Sequence, residues 1–583
     1  MTSTPSIKDS PIRPQAQRDT TPTTTTAPQL SQPQRRASGP DGIPGTRSST
    51  ASTSARPAPR SIVLRPLGGM GPAAGVEGAR NLVDQAVALH EKTGTRINAV
   101  VVQATDVSDR TAALLTGGKD PSKAMARAMG RTARGNAPGD VVVQGFYCNT
   151  ANKFLDAMKA IAAQKRMPVD HVHIADATLR LAVAAAEEGG VGAKEPIRIG
   201  LLATSGTIKT EVYHDRAKAL SAELGHPIEF CVPDDKAQDE EVMAGIYKGV
   251  KSGDLEMGAR LLGKAARDLQ ASGKAHVLLA ACTEIPLVLQ TGDIKNDAGE
   301  DTPVIDTLKA LNTGMLEHAM SLSPGDTAVH SGKNFHVSLA PMSEFASKAK
   351  DFLGGAIRLA GFVAGTDPHA GVRLADLAVR LNTAAKKDQD HTQALLDLVV
   401  GLPTEPGLVL KELGAAMKRM ASMGAHDVSL ATLKDHVHFD ALAQGMKNDK
   451  LGLRFHHAAD ESFKQLAAGA KRVALLGADS GTLQDVFARR AHATGRDLDC
   501  KAADVDAARL AAAGDLDGAI AHLKKQGIDA VILTSADLAE KAAANDGHAL
   551  PTIDPQSALA GTAIARSKMR VNVASRTLRQ AFA

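Results

Sequence analysis

Short aliphatic runs alternate with longer amphipathic stretches from Ser61 onwards, and this alternation predicts an α/β fold. The run "SIVLRPLGG" leads through a glycine turn into the helical stretch "GVEGARNLVDQAVALHEKTG", and a second aliphatic run, "RINAVVVQATD", follows it. The runs "GDVVVQGFYC", "IRIGLLATSGT" and "KAHVLLAACTE" continue the pattern. Strands that alternate with helices indicate a mostly parallel sheet. Because sites in such folds lie where strands end, strand-end residues are the first functional candidates.

The second half of the chain repeats this pattern in divergent form. The stretch "KRVALLGADSGTLQDVFARRA", from Lys471, echoes "IRIGLLATSGTIKTEVYHDRA", from Ile197. Further on, "AVILTSADL" echoes "VLLAACTEI", and "LPTIDPQSAL" echoes "TPVIDTLKAL". Matching order and similar spacing predict a duplication, with one copy in residues 61–330 and a second in residues 331–583. Chance similarity between two α/β halves is the alternative.

Residues 1–60 differ in composition from the rest of the chain. They include twenty Ser or Thr and ten Pro, so they cannot bury enough apolar surface to fold. We interpret them as a disordered tail. The alternative is an unfolded targeting signal, since Ser/Pro/Gln-rich, acid-poor leaders resemble those of bacterial type III secreted effectors. The expected location is therefore the cytoplasm, or a host cell into which the protein is secreted.

Length, charge and cysteine content exclude several classes of function. At 583 residues with 43% hydrophobic content the chain should hold more than one domain, and without Trp its cores must be mainly aliphatic. The net charge of +4 is not gathered into a basic stripe, which argues against nucleic acid as a partner. We find no apolar run of about 18 residues that would indicate a membrane span. The four cysteines form no CxxC pair, so neither a disulfide scaffold nor a metal site is expected.

Two of the four cysteines occupy matching places. Cys148 and Cys282 each end an aliphatic run and are followed closely by a threonine. A cysteine where a strand gives way to a helix is surrounded by backbone N–H groups that favour its thiolate. A single buried cysteine is usually a small core residue, but two in matched contexts suggest a shared task. Two thiols on opposite sides of a small molecule can remove a proton from one face and return one to the other, which inverts a stereocentre.

Seven short motifs then connect this region to a known family. They are "LGGMGP", "DRTAALL", "CNTA", "LLATSGTIKTEVY", "EVMAGIYKGVKSG", "ACTEIP" and "PVID". In this order, over some 260 residues from Ser61 to Ala319, they resemble the aspartate/glutamate racemases that work without pyridoxal phosphate. The resemblance implies a two-lobed, mostly parallel α/β racemase fold with one cysteine from each lobe, an amino-acid substrate, and neither cofactor nor metal. Many relatives are homodimers, so an intrachain pseudo-dimer or a homo-oligomer is expected.

The resemblance also assigns roles to individual residues. Cys148 and Cys282 look like the two acid/base thiols, and Arg110 looks like the clamp for a carboxylate. The groups expected to hold the substrate's α-carboxylate or amino group are Asn149, Thr150 and Thr283. The residues expected to line the cleft are Met70, Thr204 and Thr207.

Some residues depart from the family pattern. Asn152 stands where His is common after "CNTA", and Ser108 stands where Pro is common before "DRT". Glu240 stands in an acidic run where aspartate-specific members present a lysine, so we expect it to line the pocket and to disfavour aspartate. In the second copy Ser535 replaces Cys282, and the counterpart of "CNTA" in residues 430–442 has no cysteine.

Two classes of function remain open. The first is an amino-acid racemase with one active and one inactive copy, within which hydantoin racemisation and maleate isomerisation are related chemistries. The second is a non-catalytic effector or ligand-binding pseudoenzyme. Retention of both thiols and Arg110 in the first copy favours catalysis there.

Overall fold

The computed structural model describes residues 61–132, 134–136, 142–164, 170–322, 359–385, 393–545 and 547–567. The predicted tail 1–60 and the predicted boundary between the two copies at residues 330 and 331 lie outside these ranges.

The first half contains two parallel sheets of four strands. The first four strands are β1 (Ser61–Gly68), β2 (Arg96–Gln103), β3 (Val142–Phe146) and β4 (Asp170–His171), and they pair in the order β2-β1-β3-β4. The next four are β5 (Ile197–Ala203), β6 (Ile228–Cys231), β7 (Val277–Ala281) and β8 (Val304–Asp306), in the order β6-β5-β7-β8. The sheet β1–β4 with its helices is called lobe 1, and the sheet β5–β8 with its helices is called lobe 2. The predicted two-lobed α/β fold is therefore confirmed for this half.

The described second half has the same strand order. Its strands are β9 (Ala360–Val363), β10 (Ala394–Val400), β11 (Asp427–Leu430), β12 (Arg454–His456), β13 (Arg472–Leu476), β14 (Asp499–Ala502), β15 (Ala530–Leu533) and β16 (Thr552–Ile553). They pair in the orders β10-β9-β11-β12 and β14-β13-β15-β16. Two sheets with the order 2-1-3-4 thus occur in each half, as a duplication would produce.

Helices connect the strands. Those of the first half are Pro72–Thr93, Arg110–Leu115, Ser122–Thr132, Leu155–Gln164, Ile174–Glu188, Ser205–Lys209, Val212–Ala219, Ser221–Leu224, Asp235–Ala237, Leu255–Gly273 and Thr307–Ser321. Those of the second half are Pro368–Ala385, Pro406–Ser422, Phe439–Asn448, Ala458–Phe463, Ser480–Ala493, Val505–Ala512, Leu516–Lys525, Ala536–Ala543 and Pro555–Ser567. Shorter 3-10 turns are Thr150–Phe154, Val250–Ser252, Ile285–Leu287 and Leu433–His438, and π-helical turns are Gln238–Met243 and Gly245–Gly249. No described helix is long and apolar enough to cross a membrane.

Particular interactions recur at matching places in the two halves. His173 and His457 each precede a helix and accept a hydrogen bond from the backbone N–H two residues on, at 3.2 Å and 3.0 Å. Three residues after each histidine, an aspartate pairs with an arginine through both carboxylate oxygens, as Asp176 with Arg216 and Asp460 with Arg490. These shared caps and pairs support the duplication more specifically than strand order alone.

The two halves join through one pair of equivalent strands. Strands β2 and β10 are the second strands of their halves, and they pair antiparallel from Ile97↔Val400 to Gln103↔Ala394. This junction produces one eight-stranded sheet, in which every other described pairing is parallel. Equivalent strands meeting in this way resemble the isologous interface of a two-fold dimer.

The hydrophobic core continues across this junction. One cluster contains Leu64 and Val101 of the first half together with Phe362 and Leu396 of the second. Beside it, the guanidinium of Arg96 makes two hydrogen bonds to the carboxylate of Glu412. Since such half-exposed ion pairs contribute little, the shared apolar core is the main source of cohesion between the halves.

Candidate functional site

Cys148 and Cys282 line one cavity between the lobes of the first half. Cys148 lies two residues beyond β3, and Cys282 directly follows β7. Their exposed fractions are only 7% and 6%. The cavity has about 300 Å³ of empty space, part of it open to solvent. Its lining residues are Asp109, Arg110, Thr111, Cys148, Asn149, Thr150, Thr204, Tyr247, Lys251, Cys282, Thr283 and Glu284.

Arg110 places a positive charge beside Cys148. It is the first residue of the helix Arg110–Leu115, and its guanidinium donates hydrogen bonds to the carbonyls of Met70 and Ser108. Burial alone would lower the pKa of Arg110, but the adjacent Cys148 side chain and the neighbouring carboxylates raise it. The guanidinium therefore stays charged next to this sulfur.

The environment of Cys282 has the opposite charge. Its thiol donates a hydrogen bond to Oε2 of Glu284 at 3.0 Å, and the hydroxyl of Thr283 donates to the same oxygen at 3.2 Å. Burial and then the negative charge of Glu284 raise the pKa of Cys282 well above the usual thiol range, although Lys251 opposes them. Cys282 is therefore held as a neutral thiol, which can donate a proton.

Lys251 contributes a second cation to the cavity. It follows the π-helical turn Gly245–Gly249, and 17% of its side chain is exposed. Its ammonium lies 3.9 Å from Oε1 of Glu284 and 4.0 Å from the centre of the Tyr247 ring. Burial would lower the pKa of Lys251, but Glu284, Cys282 and Tyr247 together raise it. The cavity thus contains two cations, Arg110 and Lys251.

A hydroxyl network fixes the wall next to Cys148. The hydroxyl of Thr150 lies 3.0 Å from that of Thr204 and 2.9 Å from that of Thr207. Asn149 accepts a hydrogen bond from the phenol of Tyr213 at 2.5 Å and donates one to Thr307 at 3.1 Å. The Asn149 side chain is therefore held by protein partners, while Thr150 and Thr204 present hydroxyls at the cavity surface.

Three predicted substrate contacts need correction. Glu240 is exposed on the π-helical turn Gln238–Met243, whose buried residues are Gln238 and Val242, and it does not line the cavity. The prediction that it lines the pocket is wrong. Met70 and Thr207 are buried behind the cavity surface: Met70 supplies its carbonyl to Arg110, and Thr207 supports the hydroxyl network.

The described second half has no thiol at the corresponding places. Phe146 ends β3 and Leu430 ends β11, and each pairs with the first strand of its own half at an equivalent place. Thr432, two residues beyond Leu430, therefore stands where the first half has Cys148. The pairing of β5 with β7 and of β13 with β15 likewise places Ser535 where the first half has Cys282. Near Thr432, the carboxylate of Asp435 accepts hydrogen bonds from the backbone N–H and the hydroxyl of Thr366. Polar side chains therefore lie close to the place that Cys148 occupies in the first half.

The described residues contain no group of three or more His, Cys, Asp or Glu side chains arranged to hold a metal ion.

Comparison with known proteins gives a family match within the first half. Residues 67–313 match the family model described as Asp/Glu/Hydantoin racemase. A curated relative, an uncharacterised protein from the 3′ region of pnlA in Pectobacterium carotovorum subsp. carotovorum, is 37% identical over 93 residues. That match covers 16% of this chain and 56% of the relative.

Solved structures of racemases are also similar to part of the chain. An aspartate racemase homologue from Pyrococcus horikoshii OT3 is 18% identical, with a TM-score of 0.31, and the match covers 44% of this chain and 99% of that one. Glutamate racemase isoform RacE1 from Bacillus anthracis is 15% identical, with a TM-score of 0.29, and the match covers 50% and 94% of the two chains.

Proposed function

Because residues 67–313 belong to the Asp/Glu/hydantoin racemase family, we propose that this protein inverts the α-carbon of an acidic amino acid by proton transfer between Cys148 and Cys282. The observation that carries the proposal is the meeting of two thiols, one from each lobe, at a single buried cavity. Racemisation requires a base on one face of the α-carbon and an acid on the other, and this pair supplies both.

The two thiols start in different roles. With Arg110 beside it, Cys148 takes the α-proton as a thiolate, and the electron pair left on carbon delocalises into the substrate's α-carboxylate. Cys282, held neutral beside Glu284, then delivers its proton to the opposite face. Cys148 ends as the thiol and Cys282 as the thiolate, and the reverse reaction or exchange with solvent restores the starting state.

Lys251 and Arg110 favour a substrate with two carboxylates. Arg110 suits the α-carboxylate, and Lys251 is placed to meet a distal carboxylate, since its contact with Glu284 is long at 3.9 Å. Because Glu240 is exposed, its charge gives no reason to disfavour aspartate as the substrate. A hydantoin has no carboxylate to use these cations, so we favour aspartate or glutamate over hydantoin racemisation.

Chiral chromatography provides the direct test. The full chain is incubated with L-aspartate, L-glutamate or a 5-substituted hydantoin, without added cofactor. We expect the D-amino acid to appear from one or both acidic substrates. A purified, folded chain that racemises none of them, or only the hydantoin, would contradict the proposal.

The second half is proposed to be a copy of the racemase fold without racemase chemistry. Its strand order, the His457 cap and the Asp460–Arg490 pair support the common fold. Thr432 and Ser535 at the two thiol places support the loss of chemistry, because a hydroxyl is far too weak an acid to replace a thiol. We propose that this half serves as a built-in dimer partner for the first.

A further inference from the structure

Among the hydrogen bonds that join the two lobes around the cavity, one reaches the residue that caps the Arg110 helix. The phenol of Tyr247, in lobe 2, donates to Oδ2 of Asp109, in lobe 1, at 2.9 Å. The other oxygen, Oδ1, accepts from the backbone N–H of Ala112 at 2.9 Å and caps the helix that begins with Arg110. Asp109 is therefore fixed to the helix that carries the guanidinium, so its bond to Tyr247 connects that helix to the opposite lobe.

The lobe 2 partner lies on an unusual piece of backbone. Tyr247 belongs to the π-helical turn Gly245–Gly249, a geometry that is rare and frequent at functional sites. A Cβ at Gly249 would lie 2.7 Å from the Cα of Gly258, so this turn rests directly on the helix behind it. The ring of Tyr247 in turn supports the ammonium of Lys251 at 4.0 Å. The position of Lys251 thus depends on where Tyr247 is held.

The thiols are covered while this bond is in place. Less than a tenth of Cys148 or Cys282 is exposed, and both Tyr247 and Asp109 belong to the cavity wall. Under the proposed function an amino acid reaches both sulfurs, which requires the cleft to open more widely than in this structure. Burial opposes ionisation of Asp109, but its hydrogen bonds and the nearby Lys251 lower its pKa, so the bond ends on a carboxylate.

We infer that the Tyr247–Asp109 hydrogen bond is the latch that closes the cleft and holds Lys251 and Arg110 in position over the substrate. Tyr247 is in this view a positioning residue. The inference rests on the proposed function only in taking this cleft as the substrate site. The following test measures access to the thiols and needs no racemase activity, so it can fail while the proposed function stands.

Thiol alkylation of the native full chain tests the latch. The rates at Cys148 and Cys282 are measured separately by mass spectrometry after timed exposure to iodoacetamide. Tyr247→Phe removes only the hydroxyl, and loss of a hydrogen bond to a charged group predicts alkylation about tenfold faster at both thiols. Tyr147→Phe is the matched control, because it removes a bond of 2.9 Å to Asn312, and neither residue lines the cavity. We expect it to leave both rates unchanged.

A second variant distinguishes loss of the latch from a general loosening of the fold. Asp109→Ser keeps a hydroxyl that can cap the helix but withdraws the acceptor from Tyr247, so it should also accelerate alkylation of both thiols. If folded Tyr247→Phe is alkylated at the wild-type rates, the inference is overturned. If Tyr247→Phe does not fold, wild-type alkylation rates in Asp109→Ser would overturn it. Equal acceleration in Tyr147→Phe would overturn it too, because the effect would then reflect loosening rather than the latch.

Discussion

The thiol of Cys282 donates a hydrogen bond to Oε2 of Glu284 across 3.0 Å, so the carboxylate two residues along the chain helps to hold the proton on this buried sulfur. Burial and Glu284 both raise the pKa of Cys282. Because the folded state holds this proton more tightly than the unfolded one, the associated stability is full below about pH 8.5, the ordinary thiol pKa, and falls as the pH rises towards the folded value.

We predict that Glu284→Gln lowers the pH at which Cys282 reacts. In a Cys148→Ser background, iodoacetamide should modify Cys282 appreciably only at pH values well above about 8.5. Glu284→Gln removes the negative charge and should move this reactivity to lower pH. Glu241→Gln is the control, since Glu241 pairs with Lys264 outside the cavity lining. Identical pH dependence for the Glu284 variant and its parent would contradict the assignment.

We predict that Lys251 determines preference for a distal carboxylate. Lys251→Met keeps an unbranched side chain up to the ε position but removes the charge, and should lower kcat/KM for the preferred acidic amino acid about 100-fold. Lys264→Met is the control, because its ammonium lies on the exposed surface with Glu241 and Asp268. Glu240→Lys should leave the substrate profile unchanged. A Lys251 variant with wild-type kinetics would remove the basis for an acidic substrate.

We predict that each thiol is necessary. Cys148→Ser and Cys282→Ser should each abolish racemisation, because a serine hydroxyl cannot take over the proton transfer at neutral pH. Each variant should still exchange the α-proton slowly from the face that its remaining thiol serves. Chiral chromatography and proton NMR measure the two effects separately. Racemisation at the wild-type rate by either variant would contradict a two-thiol mechanism.

We predict that the first half cannot remain a free monomer. Removing the second half leaves the edge of β2 unpaired and exposes the apolar core that the halves share. The fragment 61–322 should therefore dimerise or aggregate, whereas the full chain should be monomeric, as light scattering after size exclusion would show. A soluble, monomeric and fully active fragment would show that the second half is not needed as a partner.

The cavity brings together several residues that sequence patterns had singled out. Each cysteine follows the carboxyl end of a parallel strand, one in each lobe, where sites in such folds lie, and the family resemblance that includes "DRTAALL" indicated Arg110. The repeated pattern likewise anticipated two halves with one strand order. These features depend on local sequence and on the general geometry of parallel sheets.

Other features depend on geometry that the sequence does not reveal. The π-helical turns over residues 238–249 change which side chains face inwards, so Glu240 points to solvent and Lys251, further along, reaches the cavity. Glu284 belongs to the "ACTEIP" motif, but the contact of its carboxylate with the Cys282 thiol depends on the conformation of the turn after β7. The β2–β10 junction pairs strands some 300 residues apart, which no local pattern specifies.

The fate of solvent deuterium tests the two-thiol account most directly. The full chain is incubated with one enantiomer of its amino-acid substrate in deuterated water, and both enantiomers are separated at low conversion. The account predicts deuterium at the α-carbon of the product enantiomer, with the recovered substrate still protonated, because different thiols serve the two faces. Equal early labelling of both enantiomers would indicate a single base, and product without deuterium would exclude proton exchange with the solvent; either result would contradict the account.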